Sequence, residues 1–188
     1  MADDINVVAI VGSLRRQSFS RRLALALAGV APGDMKVAPV PIGGLPLYNQ
    51  DEEVEPPPAP WGEFRDRVRP ADAVLFVTPE YNRSIPGALK NAIDVGSRPY
   101  GKSVWSGKPC AIVSCSPGAQ GGFGANHHLR QCLVFLNMPC MQQPEAYIGG
   151  VDKLVDEHGG FTNPATRDFC TGVMAGFERW IRTNRARA

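Results

Sequence analysis

Short apolar runs alternate along this chain with segments of helical periodicity, and this alternation limits the choice of fold more than any other feature. The clearest runs are Ile5–Val11 (INVVAIV), Asp72–Thr78 (DAVLFVT) and Cys110–Cys115 (CAIVSC). Apolar runs without polar alternation are typical of parallel strands buried on both faces. Two weaker segments, Met35–Val40 and a short strand within Met138–Tyr147, bring the predicted strands to five.

Helix signals fill the gaps between these strands. Ser18 is placed to cap a first helix, which Pro32 and Gly33 would end. A second helix is predicted over Trp61–Val68. For the third helix, Ser84 is expected to be the cap and Pro86 to lie in the first turn.

Two more helices are predicted in the second half of the chain. Asn163 is placed to cap the last helix, with Pro164 at its first position. Apolar side chains repeat at helical spacing in both helices. In the fourth they are Leu129, Cys132, Leu133 and Leu136, and in the fifth they are Phe169, Val173, Phe177 and Ile181.

Strand–helix alternation of this kind predicts an α/β fold, a doubly wound five-stranded parallel sheet with right-handed crossovers and the order 2-1-3-4-5. A length of 188 residues suits one domain, 1–188, with its core at about 5–183. The stretch Pro39–Pro60 is predicted to be a long loop, and such loops are usually functional or mobile. The basic end, Arg182–Ala188, is expected to fray as a solvated helix end.

Charge and patterning exclude several classes of protein. Twenty lysines and arginines face 18 acids, so the net charge of +2 is too small for a dedicated nucleic-acid binder. No apolar run approaches the roughly 20 residues of a membrane-spanning helix. The amino terminus carries acids where a secretory signal has bases. We therefore expect a cytoplasmic protein without a nucleic-acid or membrane partner.

The cysteines and histidines give no metal or disulfide pattern. Five cysteines form no CxxC pair, and none of the three histidines has zinc-ligand spacing from a cysteine pair. A catalytic pair of Cys115 with a histidine stays open, although small buried hydrophobic residues are the commoner use of such cysteines. A hydrolase using Ser13 or Cys115 would lack a base close to either in sequence.

Ligands of such sheets bind at the carboxyl ends of the strands, where the strand order reverses. The first loop at this edge, Gly12–Ser20, reads GSLRRQSFS and leads into a helix amino terminus. It matches neither GxxxxGK[ST] nor GxGxxG, so a phosphate monoester fits best. A capped helix start without a ligand is the alternative. The candidate anion-binding side chains are Ser13, Ser18, Ser20, Arg15 and Arg16.

Two further loops leave the same predicted edge. The segment TPEYNRSIPG places Glu80, Tyr81 and Asn82 behind Pro79, a mixture of polar edges and an aromatic face that suits a planar heterocycle. The segment SPGAQGG, residues 116–122, has glycines that let backbone N–H groups approach a flat ligand. An ordinary turn would explain the third loop equally well, but the three loops together are far more specific.

Four segments carry a resemblance to a known family: GSLRRQSFSRR, TPEYNRSIPGALKNAIDVGSRPYG, WSGKP, and SPGAQGG followed by HLRQ. From about Val7 to about Gly149 the chain resembles the NADPH-dependent FMN reductases, in the branch of the bacterial chromate and quinone reductases. This resemblance implies a flavodoxin-like fold and tightly bound FMN, with NADPH or NADH as the hydride donor.

The resemblance also implies roles for residues. The phosphate end of FMN would be held by Ser13, Arg15, Ser18, Phe19 and Ser20, although the family often has asparagine in place of Ser20. The isoalloxazine ring would be lined by Pro79, Glu80, Tyr81 and Asn82. Its pyrimidine edge would lie near Ser116, Pro117 and Gly118.

The expected activity is ping-pong transfer of a hydride from NAD(P)H through flavin N5 to a small-molecule acceptor such as a quinone, chromate, an azo dye or free flavin. No side chain is expected to act as an acid or base. Two alternatives are a flavodoxin-type electron carrier, which the net charge of +2 opposes, and an FMN-binding redox sensor without useful turnover.

The resemblance further implies a homodimer or a pair of dimers. The helix containing Leu89 and Ile93 and the SRPYG turn after it are the expected dimer elements, and Arg98 resembles an arginine near the partner's flavin. In the chromate reductases an arginine, a tyrosine and a glutamate join two dimers. The matching positions here are Gly124, His127 and Glu145. A contact between His127 and Glu145 across dimers and a solvated helix surface are both open.

Overall fold

A computed structural model describes residues 4–185 of the chain as an α/β domain built on five strands. The sheet has the order β2-β1-β3-β4-β5, and every neighbouring pair is parallel. The predicted fold class and strand order are therefore confirmed. The strands are β1 Ile5–Val11, β2 Met35–Pro39, β3 Ala73–Thr78, β4 Cys110–Ser116 and β5 Ala146–Gly149.

Five α-helices connect and follow these strands, and two short 3₁₀ turns, Gln50–Glu52 and Val151–Lys153, lie in the loops. No helix within residues 4–185 is both long and apolar enough to cross a membrane. The helices are α1 Phe19–Gly29, α2 Ala59–Val68, α3 Gly87–Gly96, α4 Phe123–Phe135 and α5 Pro164–Arg185.

The sheet is buried between two helical layers. Ile5 and Val7 of β1 pack in the cluster that contains the buried faces of α1 and α5. Val8 and Ile10 of the same strand pack in the cluster formed with α2, α3 and α4. All six residues of β3 are buried, which explains why the central strands show apolar runs rather than alternation.

Two of the predicted helix caps are confirmed and one is wrong. Ser18 Oγ accepts a hydrogen bond from Arg21 N at 3.1 Å, and Asn163 Oδ1 accepts one from Thr166 N at 3.0 Å. Ser84 does not cap α3, which begins at Gly87 after Pro86. Its Oγ lies 2.7 Å from His128 Nδ1 instead, because Ser84 closes a tight hairpin with Tyr81.

Three predicted boundaries or faces also differ from the structure. Helix α1 ends at Gly29, before the expected Pro32 and Gly33. The fifth strand begins only at Ala146, because residues 138–141 make a single bridge to β4 and then leave the sheet. In α5, Phe169 is 42% exposed, whereas the adjacent Cys170 is buried.

The long loop, residues 40–58, is hydrogen-bonded to the helices that it crosses. Arg65, itself buried, forms two hydrogen bonds to the Glu53 carboxylate at 2.9 and 2.7 Å and donates from Nε to Val95 O. Asn91 accepts from Tyr48 N at 2.8 Å and donates to Leu45 O at 3.3 Å. These buried and part-buried hydrogen bonds give the loop fixed partners on α2 and α3.

The carboxyl end of α5 is helical through Arg185, so the expectation of fraying from residue 182 is wrong for 182–185. Arg182 forms ion pairs with Asp34 and Glu178, and Arg185 Nε lies 3.2 Å from Asp72 Oδ1. Residues 186–188, which the same expectation included, lie outside the described part of the chain.

Two glycines in helices, one crowded and one in open space, allow a test of the packing around Trp105. A Cβ at Gly96 would lie 2.5 Å from the ring of fully buried Trp105, whereas a Cβ at Gly172 would meet nothing within 4 Å. We expect Gly96→Ala to lower the free energy of unfolding by about 1–3 kcal/mol through overpacking. Gly172→Ala, the matched control, should raise it by up to about 1 kcal/mol because alanine favours the helix.

Urea titration of the two variants measures both effects. Equal unfolding free energies for Gly96→Ala and Gly172→Ala would contradict the packing of Trp105 against α3.

Candidate active site

The three loops singled out in the sequence converge at one edge of the sheet, at the carboxyl ends of β1, β3 and β4. They enclose a cleft of about 120 Å³. The cleft is lined by Ser13, Arg15, Phe19, Ser20, Pro79, Glu80, Tyr81, Cys115, Ser116, Pro117 and Val151.

The first loop brings hydroxyl groups and a cation to the amino terminus of α1. Ser13 and Ser20 line the cleft, and Arg15 extends from the exposed part of the loop. The first N–H groups of a helix have no intrahelical acceptor, and they carry the positive end of the helix dipole. Ser18 is only 2% exposed and serves as the helix cap rather than as part of the lining. This end of the cleft therefore favours an anion.

Cys115 and Val151 also line the cleft, and neither is among the ligand contacts expected from the sequence. Cys115 is the penultimate residue of β4, and Val151 follows β5 in a 3₁₀ turn. Ligands bind at the carboxyl ends of the strands, and applying this rule to the fifth strand as well would have predicted Val151. For Cys115, a catalytic role and a place in the core were both open from the sequence, and the residue is 1% exposed.

The chemistry of Cys115 weighs against a thiol nucleophile. Its Sγ lies 3.3 Å from Ser20 Oγ. Burial raises the pKa of the Cys115 thiol to about 11, although the hydrogen bond with Ser20 acts in the opposite direction. The thiol is therefore protonated near neutral pH, and the alternative of a Cys115-dependent hydrolase loses support.

The second loop is a hairpin of two central residues. Tyr81 and Ser84 exchange backbone hydrogen bonds at 3.0 and 2.9 Å, and Asn82 and Arg83 between them have φ angles of 51° and 65°. Two consecutive positive φ angles are typical of a type I′ turn, which favours asparagine. Asn82 thus lies at the turn and not in the cleft lining, whereas the half-exposed ring of Tyr81 borders the cleft.

Glu80 links the second loop to helix α4. Its Oε2 accepts a hydrogen bond from Ala125 N at 3.0 Å, in the first turn of α4, where a carboxylate is favoured by the helix dipole. A Cβ on Gly124 would lie 2.9 Å from the same oxygen, so the approach depends on glycine there. Arg83 lies between Glu80 and Gln120 and joins the second loop to the third.

The third loop packs against β5. Gly121 has a φ of 58°, and a Cβ there would lie 2.5 Å from the Tyr147 carbonyl carbon. A side chain at this position is excluded by both the backbone conformation and the space. Ser116 and Pro117 line the cleft, and Ser116 Oγ accepts a hydrogen bond from Gly118 N at 3.0 Å. Gly118 itself is not part of the lining.

Arg98 is not brought to the cleft of its own chain. It follows the carboxyl end of α3, and α3 runs back from the edge that carries the cleft. A role near a flavin therefore requires a second subunit. On α4, His127 Nε2 lies 2.9 Å from the Tyr147 hydroxyl of the same chain, beside the half-exposed ring of Phe123.

Two larger hollows adjoin the cleft. One of about 350 Å³ lies between the first and second loops and shares Arg15 and Tyr81 with it. The other, of about 420 Å³, is mainly apolar, lies between α1 and β2, and shares Ser13. Across the described residues, 4–185, no three or more histidine, cysteine, aspartate or glutamate side chains are grouped to hold a metal ion.

Comparison with known proteins identifies the family of this chain. Residues 5–153 match the family of NADPH-dependent FMN reductases, and the chain belongs to that family. It is 58% identical to a quinone reductase from Pseudomonas putida, over 99% of this chain and 100% of the relative. It is 45% identical to a 2-hydroxy-1,4-benzoquinone reductase from a Burkholderia species, over 96% of this chain and 98% of the relative.

A solved structure with the same fold is FerB from Paracoccus denitrificans, a flavoenzyme NAD(P)H:acceptor oxidoreductase. Its TM-score to this chain is 0.89, with 38% sequence identity over 96% of this chain and 98% of FerB. The resemblance to the FMN reductases inferred from the sequence motifs is therefore confirmed.

The residues at the cleft fit FMN. An anion-favouring end, with Ser13, Arg15 and the helix amino terminus, suits a single phosphate. Tyr81 and Pro79 at the second loop provide flat and aromatic surfaces of the kind that a ring system needs. The family uses FMN with NAD(P)H as the electron donor.

Two adjacent arginines allow a controlled test of the phosphate end. Arg15 lines the cleft and Arg16 does not, although both are exposed cations of the same loop. We expect Arg15→Ala to raise the FMN dissociation constant roughly tenfold, the lower end for a charge-assisted contact, because solvent screens the exposed side chain. Arg16→Ala should change it much less. Fluorescence titration of the apoprotein with FMN measures both, and equal effects would show that only net charge matters.

Two substitutions of Glu80 can test the role of its hydrogen bond separately from the role of its charge. Glu80→Ala leaves Ala125 N without its acceptor and removes the link between the second loop and α4. We expect a loss of about 1–3 kcal/mol in the free energy of unfolding and weaker FMN binding. Glu80→Gln keeps an oxygen acceptor and should lose less of both.

Thermal unfolding and FMN titration of the two variants provide the measurement. Wild-type values for Glu80→Ala would show that the link does not hold the loop in place.

Proposed function

We propose that this chain is an FMN-dependent NAD(P)H:acceptor oxidoreductase of the quinone reductase type. The observation that carries the proposal is the meeting of an anion-favouring loop and an aromatic loop in one cleft at the switch point of the sheet. Its relatives at 58% and 45% identity are named quinone reductase and 2-hydroxy-1,4-benzoquinone reductase, which supports quinones as acceptors.

The phosphate group of FMN is assigned to the first loop. Ser13 and Ser20 provide hydroxyl groups, Arg15 provides the positive charge, and Phe19 closes the wall beside them. Ser18 acts indirectly, since its hydroxyl accepts from Arg21 N and holds the first turn of α1 in place. The N–H groups of that turn are then directed towards the anion.

The ring of FMN is assigned to the second and third loops. Pro79, Tyr81 and Pro117 present apolar and aromatic surface, and Glu80 holds the second loop against α4. When bound, FMN supplies two-electron redox chemistry between a reduced nicotinamide and an acceptor. The third loop enters the cleft through Ser116 and Pro117, so we assign it to the pyrimidine edge, where backbone N–H groups would stabilise negative charge. Asn82 and Gly118 do not line the cleft, but each adjoins a lining residue, Tyr81 or Pro117, and would contact the edge of the ring.

Alternative functions have weaker support. A flavodoxin-type carrier docks through an acidic surface, and this chain has a net charge of +2. A redox sensor without turnover is opposed by the relatives at 58% and 45% identity, which are named as reductases. Chromate, azo compounds and free flavin are further acceptors that the proposal includes beside quinones.

The assembly that we infer is a homodimer, or a pair of dimers, acting in the cytoplasm. Arg98 would reach the flavin of the partner subunit, because its own cleft lies at the other end of α3. Leu89 and Ile93 are buried in their own subunit, so other side chains of this region, such as the exposed Tyr100, would form the contact. The contact of His127 with Glu145 across dimers is part of the same proposal, and light scattering of the purified protein tests the assembly.

Steady-state kinetics test the proposed activity. If NADPH and a benzoquinone use the same face of the cofactor in turn, double-reciprocal plots at several fixed quinone concentrations should be parallel. A carrier would not turn over with NADPH and quinone alone. Intersecting lines would require both substrates to bind together and would contradict a single shared site.

A further inference from the structure

Cys110 and Cys140 face each other at the amino end of β4, far from the cleft. Cys110 N donates to Pro139 O at 2.9 Å, and Cys110 O accepts from Met141 N at 2.8 Å, so Cys140 is the bridge partner of Cys110. Neighbouring strands lie about 4.8 Å apart. That spacing falls within the range of about 4.4–6.8 Å that Cα atoms have in disulfides.

Arg130 of α4 holds a positive charge beside one of the two sulfurs. Its Nη1 lies 3.5 Å from Cys140 Sγ and donates to Met141 O at 2.9 Å. Its Nε donates to Asn126 Oδ1 at 3.1 Å, which fixes the guanidinium from the other side. A cation held in this way favours the thiolate form of the neighbouring cysteine.

The two thiols differ in acidity and in access to solvent. A hydrogen bond with Cys110, and then the charge of Arg130, lower the pKa of the Cys140 thiol, although burial opposes them. Burial raises the pKa of Cys110, which is 0% exposed. Cys140 is only partly buried. The more acidic thiol therefore belongs to the less buried of the two residues.

The other cysteines of the chain lack this arrangement. Burial raises the pKa of Cys115 and of Cys170 to about 11, and it raises the pKa of the partly buried Cys132 as well. No arginine contacts their sulfurs within the described residues. Cys140 thus differs from these three cysteines in having a positive charge beside its sulfur. It also has a facing cysteine, Cys110.

We propose that Cys110 and Cys140 are a redox-modification site at which hydrogen peroxide converts the two thiols into a disulfide. The Cys140 thiolate attacks one oxygen of the peroxide, the O–O bond breaks, and with a proton one water leaves, so that Cys140 becomes a sulfenic acid. The Cys110 sulfur then attacks Cys140 Sγ, the S–O bond breaks, and the Cys110 proton leaves with the hydroxyl as a second water. Two thiols are oxidised and one peroxide is reduced to two waters.

The disulfide would constrain the chain without reaching the cleft. Residues 110–140 include β4, the glycine-containing third loop and α4. Closing this stretch covalently reduces the freedom of the unfolded chain, so the oxidised protein should unfold at a higher temperature. Cys110 begins β4, whereas the cleft lies at its other end, so FMN binding should be unchanged.

Mass spectrometry of the purified protein tests the proposal without any assay of reductase activity. The protein is treated with hydrogen peroxide, remaining thiols are alkylated, and cross-linked peptides are fragmented so that each sulfur is assigned. We expect a Cys110–Cys140 link, lighter than the reduced pair by two hydrogen atoms and reversed by dithiothreitol. Cys140→Ser should abolish the link. Cys132→Ser, the matched control at another partly buried cysteine, should keep it.

A trapping experiment separates the two steps. In Cys110→Ala the sulfenic acid at Cys140 has no resolving thiol, so dimedone should label residue 140. The proposal would be overturned if peroxide oxidised other cysteines of the wild-type protein while Cys110 and Cys140 both remained free to be alkylated. A link that joins either cysteine to a different partner would do the same. The wild-type measurement stands even if a variant folds poorly.

Discussion

Burial of a parallel sheet on both faces is the constraint on which the site depends. Because every residue of β3 is buried, the strand has no freedom to shift register without moving both helical layers. The register continues to the edge of the sheet, where Gly12 N donates to Val77 O at 2.9 Å. The first and second loops are thereby fixed next to each other, and Glu80 carries the alignment on to α4.

The fold followed from local sequence signals because those signals agree with the global packing. Apolar runs gave the central strands, and hydroxyl and amide caps gave the starts of α1 and α5. The errors arose where tertiary contacts outweigh local preference. Ser84 closes a hairpin rather than capping a helix, and Arg182 pairs with Asp34, which is remote in sequence, rather than fraying.

The site was predicted in part for the same reason. Rules for parallel sheets placed the three loops at one edge, and most of the proposed residues do line one cleft. The role of Glu80 as a link to α4 depends on Gly124, 44 positions later in sequence, and no local pattern reveals that distance of approach. Cys115 was considered only as a nucleophile or a core residue, because a strand residue in the core and one in the wall of a ligand cleft look alike in sequence. A place for Arg98 near a flavin would need a second subunit, because Arg98 lies at the far end of α3 from the cleft of its own chain.

The proposed function depends on one assignment, in which one loop binds the phosphate of FMN and two loops bind its ring. Titration of the apoprotein with FMN and, separately, with riboflavin tests it most directly, because the two ligands share the ring and differ in the phosphate. We expect one FMN per chain and riboflavin binding that is weaker by roughly ten- to a hundredfold, because riboflavin lacks the charge-assisted hydrogen bonds of the phosphate. Equal affinity for the two flavins would contradict it.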